Sequence, residues 1–287
     1  VTQARGLQLL LLAVVLFGGV WPVTKHALAH ATPLWFATSR AGLAVASATL
    51  LLLVLGRLRW PARRDLPSVL ALGCLQLAAF FLLAHLALAL VGSGRTAVLS
   101  NVTLMWLVPL SMLVLGERIS PMRWGAVALA MVGVAVMLGP WAIDWWAPGM
   151  VGGHALLLGA SLAWSVAIVL VRRFPPASPM IELLPWSFAL ATSLLAVAAT
   201  LREPAGGIGL EAWPHAAFIG LVAAPIGTWA VIESGRHLNA VLASVGFLLV
   251  PVLGLALATF WLGEPLGWDI ILGGVLIMAS VVMAALG

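Results

Sequence analysis

The sequence predicts an all-α polytopic membrane protein, with ten transmembrane helices arranged as two inverted five-helix repeats around a central cavity. Hydrophobic residues make up 63% of the 287 positions, charged residues only 8%, and a Leu-Gly-Glu motif recurs after 147 positions. A soluble domain typically devotes about 25% of its residues to Asp, Glu, Lys and Arg. This chain cannot coat itself for water, so its solvent is mostly lipid. The formal net charge of +5 does not mark a nucleic-acid partner. The basic residues stand singly or in short clusters at the ends of apolar runs, where membrane orientation needs them, and form no solvated basic face. The single cysteine, Cys74, excludes an internal disulfide and a multi-cysteine metal site.

A hydrocarbon core about 30 Å thick is crossed by about 20 helical residues. Cutting the chain at charges, prolines and glycine-rich turns gives spans at 6–26, 33–55, 67–90, 97–115 and 122–139. The second half gives 152–171, 180–200, 214–233, 239–262 and 268–286. The first span has the outline of a signal peptide, with Arg5, the apolar run Leu7–Phe17 and the small-residue triplet Ala27-Leu28-Ala29. Gly18-Gly19-Val20-Trp21-Pro22 continues it, however, and a similar segment returns at Gly159–Trp164, so it reads as a retained helix. Between the halves, Trp141–Trp146 suits a segment lying along the membrane surface.

Lys and Arg set the orientation. With the N-terminus inside, Arg5, Arg57, Arg59, Arg63, Arg64, Arg118, Arg123, Arg172, Arg173 and Arg236 face the cytoplasm, against Lys25, Arg95 and Arg202 outside. Both termini are expected to be cytoplasmic, in a bacterial inner membrane.

The repeat carries the functional argument. Leu115-Gly116-Glu117 closes the fourth span and Leu262-Gly263-Glu264 the ninth, each followed by a Gly-containing helix, Trp124-Gly125-Ala126-Val127 and Leu272-Gly273-Gly274-Val275. Each copy holds an odd number of spans, so the second must enter the membrane upside down. Inverted repeats of this kind characterise alternating-access carriers, with substrate bound near the midplane. The division is residues 1–140, a first repeat; 141–151, an interfacial linker; and 152–287, a second, inverted repeat.

Paired Leu-Gly-Glu helix ends, each followed by a Gly-containing helix, resemble the drug/metabolite transporter superfamily, in particular its EamA-type ten-helix branch. Pro251 stands where that branch commonly has a proline before the Glu, whereas Leu104 occupies the equivalent first-half place. Trp21, His85, Ser100-Asn101-Val102-Thr103 and Trp164 are most similar to YddG-type exporters of aromatic and other amino acids. The resemblance implies a basket of helices around a cavity, with the fifth and tenth at the periphery. The chain departs from it in having no Tyr, so cavity hydroxyls would come from Ser and Thr.

Candidate substrate-binding residues are Trp21, Arg40, His85, Asn101, Thr103, Trp164 and Ser244. His85 lies mid-span, where an ionisable group either serves function or is bonded neutral to a neighbouring helix. A charge at the centre of a lone helix costs about 2.5–3.5 kcal/mol, so Arg40 needs a partner: a substrate carboxylate or a structural one. Trp21 and Trp164 could stack aromatic substrates or hold an ammonium over a ring face, while Trp106, Trp186 and Trp229 read as structural. Asn101, Thr103 and Ser244 offer polar groups either to neighbouring helices or to a ligand. Pro22, Pro109, Pro225 and Pro251 interrupt helices and suit kinks or gates.

Glu117 and Glu264 fall at span ends and read as loop-fixing residues. No carboxylate lies deep in a span, which favours a facilitative carrier. The leading expectation is a carrier, working as a monomer, that exports aromatic and other neutral amino acids or related metabolites. A proton-coupled multidrug or metabolite exporter is the alternative in the same class. An enzyme is disfavoured, since no catalytic, metal or phosphate-loop motif is present; a channel would need rings of charge or carbonyls built by subunit symmetry. No cofactor is expected.

Overall fold

The computed structural model describes residues 2–139, 141, 144, 146–234, 237–238, 246–247 and 249–286. Those residues build an all-α polytopic membrane protein with several apolar spans. The first half comprises α1 (Thr2–Gly18), α2 (Val20–Ala27), α3 (Pro33–Val54), α4 (Leu66–Leu70), α5 (Phe80–Leu90), α6 (Ser93–Leu99), α7 (Thr103–Leu115) and α8 (Pro121–Met137). The second comprises α9 (Met150–Arg173), α10 (Met180–Arg202), α11 (Trp213–Ala217), α12 (Ala224–Ser234), α13 (Leu249–Leu262) and α14 (Trp268–Leu286). Several of these join end to end. Gly19 keeps helical dihedrals between α1 and α2, and π-helical stretches Ala71–Ala79 and Phe218–Ala223 link α4 to α5 and α11 to α12.

Among the described residues, seven helical runs are long and apolar enough to cross a membrane: Gln3–Ala27, Pro33–Val54, Arg63–Leu90, Met150–Arg173, Met180–Arg202, Leu210–Val231 and Trp268–Leu286. Shorter apolar helices occupy Met105–Leu115, Pro121–Met137 and Leu249–Leu262. These coincide with the three other expected spans. The expected 97–115 helix is instead two helices, α6 and α7, separated at Ser100–Val102. Part of the expected 239–262 span lies outside the described residues.

The recurring Leu-Gly-Glu motif has a local cause. Gly116 and Gly263 end α7 and α13 with φ of 67° and 66°, the left-handed conformation that glycine adopts without steric penalty. Proline opens α3 and α8, where its missing N–H would have had no intrahelical partner.

Packing depends on close backbone approach, as expected where lipid supplies no hydrophobic drive between helices. Gly220, in the second π-helical stretch, lies against α3: a methyl there would be 2.5 Å from the Arg40 carbonyl oxygen and 2.6 Å from Leu43 Cβ. Gly73, in the first, lies against α10, where a methyl would be 3.0 Å from the Ser187 carbonyl oxygen. The two π-helical stretches begin 147 positions apart, as do Gly73 and Gly220, and Arg40 and Ser187. Ser47 Oγ donates to the Gly220 carbonyl at 3.0 Å, satisfying an acceptor in the widened turn. α8 and α14 meet through Gly133 and Gly273, whose added methyls would lie 2.8 and 2.7 Å from each other's carbonyl oxygens.

Gly220→Ala should force α3 away and cost about 1–3 kcal/mol, read as a lower unfolding midpoint in detergent. Gly152→Ala, on α9 with nothing within 4 Å of the new methyl, should leave the midpoint unchanged or slightly raised.

Candidate functional site

An arginine among apolar helices must be accounted for atom by atom. Arg40 on α3 is 7% exposed. Its Nη1 lies 3.5 Å from Nε2 of His85 on α5, and its guanidinium sits 4.2 Å above the centre of the Phe81 ring. His85 is fully buried, and its Nδ1 is 2.7 Å from the Phe81 carbonyl oxygen one helical turn back. These two contacts fit a single tautomer, in which Nδ1–H donates to the carbonyl and Nε2 accepts from arginine. No carboxylate pairs with Arg40 among the described residues. Among the described residues, a long hydrogen bond and a ring face are its compensation.

Aromatic rings surround this pair. Trp21 on α2 stands 6.4 Å from the His85 ring and 6.0 Å from Phe80, and Phe80 meets Trp164 of α9 edge-on at 4.8 Å. Phe36 on α3 packs 6.2 Å from His85 on another side. The structure thus brings together Trp21, Arg40, His85 and Trp164, from four helices, with Phe80 bridging the two indoles. Phe80 and Phe81 escaped the sequence reading because they sit in an unbroken apolar run; the signal for Phe81 was its i, i+4 spacing to His85.

The polar candidates lie beside the break between α6 and α7. Asn101 Nδ2 donates to the Ala97 carbonyl at 2.7 Å, and Ala97 belongs to the same core cluster as Trp21 and Phe80. The Thr103 carbonyl accepts from Ser165 Oγ at 3.0 Å. Among the described residues, Ser100 Oγ is buried without a hydrogen-bond partner, and so is Ser187 Oγ on α10. Ser244 lies outside the described residues. Pro22 is the third residue of α2, Pro109 lies inside α7, Pro225 follows the second π-helical stretch, and Pro251 is the third residue of α13. The discontinuity in the fourth expected span therefore falls at Ser100–Val102, before Pro109. Trp106 donates to Ser161 Oγ at 2.9 Å, and Trp186 donates to the Arg59 carbonyl at 2.9 Å while stacking on Trp60.

All nine carboxylates sit at helix ends or in connections. Several of them accept from helix N-termini far away in sequence. Glu264 accepts from Ser93 N at 2.7 Å, Ser93 Oγ at 2.8 Å and Gly94 N at 2.9 Å, at the start of α6. Glu203 accepts from Leu34 N and Trp35 N at the start of α3. Asp65 accepts from Ala177 N, Ser178 N and Ser178 Oγ ahead of α10. Glu264 and Glu203 satisfy N–H groups that a helix leaves unbonded and lie at the positive end of its dipole, whereas Asp65 holds the turn that leads into α10. Lys25 does the converse, donating to the Leu88 and Val91 carbonyls at the end of α5. Among the described residues, no group of His, Cys, Asp and Glu could hold a metal ion.

The chain as a whole is similar to known proteins. The EamA-like transporter family matches residues 4–139 and, a second time, residues 151–286. A "probable amino-acid metabolite efflux pump" of Salmonella typhimurium is 28% identical over 294 residues, covering 97% of this chain and 94% of that protein. The uncharacterized transporter YdeK of Bacillus subtilis is 28% identical over 284 residues, covering 95% and 94%. A solved crystal structure shares the fold with a TM-score of 0.65 at 21% identity, covering 98% of this chain and 97% of the other.

Glu264→Ala would strip three donors at the start of α6 of their acceptor and should cost about 1–3 kcal/mol. Glu264→Gln keeps one acceptor oxygen, so its unfolding midpoint should fall between those of wild type and the Ala variant.

Proposed function

The chain belongs to the EamA-like transporter family, and on that premise we propose that it exports aromatic and other neutral amino acids, or closely related metabolites, from the bacterial cytoplasm by alternating access. In this it would resemble a YddG-type exporter, like the probable amino-acid metabolite efflux pump to which it is similar. The observation that carries the reading is Arg40, a buried guanidinium facing His85 and an aromatic shell with no carboxylate of its own. An amino acid's α-carboxylate is the missing partner, since guanidinium and carboxylate match as a two-toothed fork. The ring faces of Trp21, Phe80 and Trp164 would receive an apolar or aromatic side chain, or an ammonium at cation–π distance. Asn101, Thr103 and Ser244 would supply polar contacts near the helix break, with Pro22, Pro109, Pro225 and Pro251 accommodating the movement.

The proposed architecture is ten spans in two inverted repeats, residues 1–140 and 152–287 with a linker at 141–151, both termini in the cytoplasm, and a monomer as the working unit. The double family match and the 147-position spacing shared by the Leu-Gly-Glu motifs, the π-helical stretches and the reciprocal Gly contacts support it. The placement of every carboxylate at a helix end or connection supports facilitative transport, because none is positioned to carry a proton through the membrane interior. His85 supports the second reading, a proton-coupled exporter, because it is an ionisable group buried beside the proposed carboxylate site.

Purified protein in liposomes should move labelled Phe, Trp, Met or Thr down their gradients at a rate that an imposed pH gradient leaves unchanged. Stimulation by the pH gradient would favour the proton-coupled reading, and no flux from well-inserted protein would remove amino acids as substrates. Arg40→Leu should lower flux at least about tenfold, as expected for loss of a charge-assisted pair. Its unfolding midpoint should hold or rise, because a buried charge that lacks a full partner opposes stability.

A further inference from the structure

A cleft of about 230 Å³ opens at the bundle end where α7, α9 and α14 finish and α8 begins. Its walls include Leu107 and Ser111 of α7, Glu117, Arg123 of α8, Arg172 of α9 and Ala284 of α14. The Arg40 site draws on α2, α3, α5 and, through Trp164, the middle of α9, and shares no residue with the cleft, which is a separate feature. Arg172 is committed, donating to Glu117 and, at 3.4 Å, to Ser111 Oγ. The half-buried Arg123 guanidinium has no hydrogen bond or ion pair among the described residues. Two arginines against one carboxylate leave the cleft with one positive charge in excess. Of the nearby charges, Arg118 is solvent-exposed beside the cleft and Arg173 lies over the Phe174 ring. Among the described residues, no second carboxylate lines the walls.

We infer that this cleft seats the phosphodiester head group of an anionic phospholipid, with Arg123 as its principal donor. The single excess charge matches a phosphodiester monoanion better than the dianion of free phosphate. The surroundings favour a lipid as well: Leu107 and Ala284 make part of the wall apolar, while Val114, one turn beyond Ser111, and Trp124, next to Arg123, are 42% exposed on the outer surface. Those outward side chains offer a path for acyl chains beside a seated head group. The bundle end is the one that the arginine bias assigns to the cytoplasm, where basic pockets between helices receive anionic head groups.

The test is native mass spectrometry of the intact protein in detergent with phosphatidylglycerol, phosphatidylcholine of the same chains, or inorganic phosphate. Wild type should retain one phosphatidylglycerol, about fivefold more strongly than phosphatidylcholine. Arg123→Gln should abolish the preference and Arg123→Lys should keep part of it. Arg118→Gln, outside the cleft, should keep all of it. Ala284→Phe, which fills the cleft while leaving both arginines, should also abolish it, so the inference does not rest on one variant folding. Equal retention of the two lipids by wild type, an undiminished preference in either Arg123→Gln or Ala284→Phe, or displacement of the lipid by inorganic phosphate would each overturn the assignment.

Discussion

Carboxylates that close distant helix N-termini are the interactions on which the bundle depends. A helix that starts at a membrane surface leaves N–H groups without partners, and the adjoining hydrocarbon cannot supply them. Glu203 and Glu264 each solve this for a helix on the other side of the 141–151 region, and Asp65 fixes the turn that leads into α10 from the opposite half. With only nine acids in the chain, committing them this way fixes helix ends and leaves the apolar interior without a fixed negative charge. Arg40 follows from that economy: its guanidinium is held by an imidazole nitrogen and a ring face because no acid is placed to meet it.

The two π-helical stretches and the two reciprocal glycine contacts give the same logic a geometric form. Each widened turn admits close approach of α3 or α10, and each depends on a glycine that offers no side chain at the crossing. Arg40 lies at one such crossing. Its position in the membrane is therefore set by backbone packing as much as by its own contacts, which makes it a rigid point for a ligand to meet.

Much of this was legible in the sequence because lipid imposes strong rules. Membrane class, most span boundaries and the importance of the Leu-Gly-Glu ends follow from apolar runs and from a glycine followed by an acid; the structure adds that the glycine is left-handed and that Glu264 reaches Ser93 and Gly94. Arg40 and His85 each stood out as ionisable groups in apolar runs. Their pairing did not, because 45 positions and two helices separate them and no periodicity connects such residues. The break at Ser100–Val102 was equally hidden, since those residues are compatible with a helix and only the fold shows Asn101 bonding to Ala97. Asp65, next to Arg63 and Arg64, gave no sign in the sequence of its role, yet it is fully buried and bonded to Ala177 and Ser178.

The distant caps also have a consequence in time. Glu203 is 169 positions downstream of Leu34, and Glu264 is 171 positions downstream of Ser93. A ribosome adding about 5–20 residues each second needs roughly 10–30 seconds to cover either interval. Throughout that wait the openings of α3 and α6 must rely on water or the insertion machinery for hydrogen bonds. The early helices thus remain provisional until the late acids emerge, and a chain cut short before Glu264 would carry an open helix end that surveillance proteases could recognise.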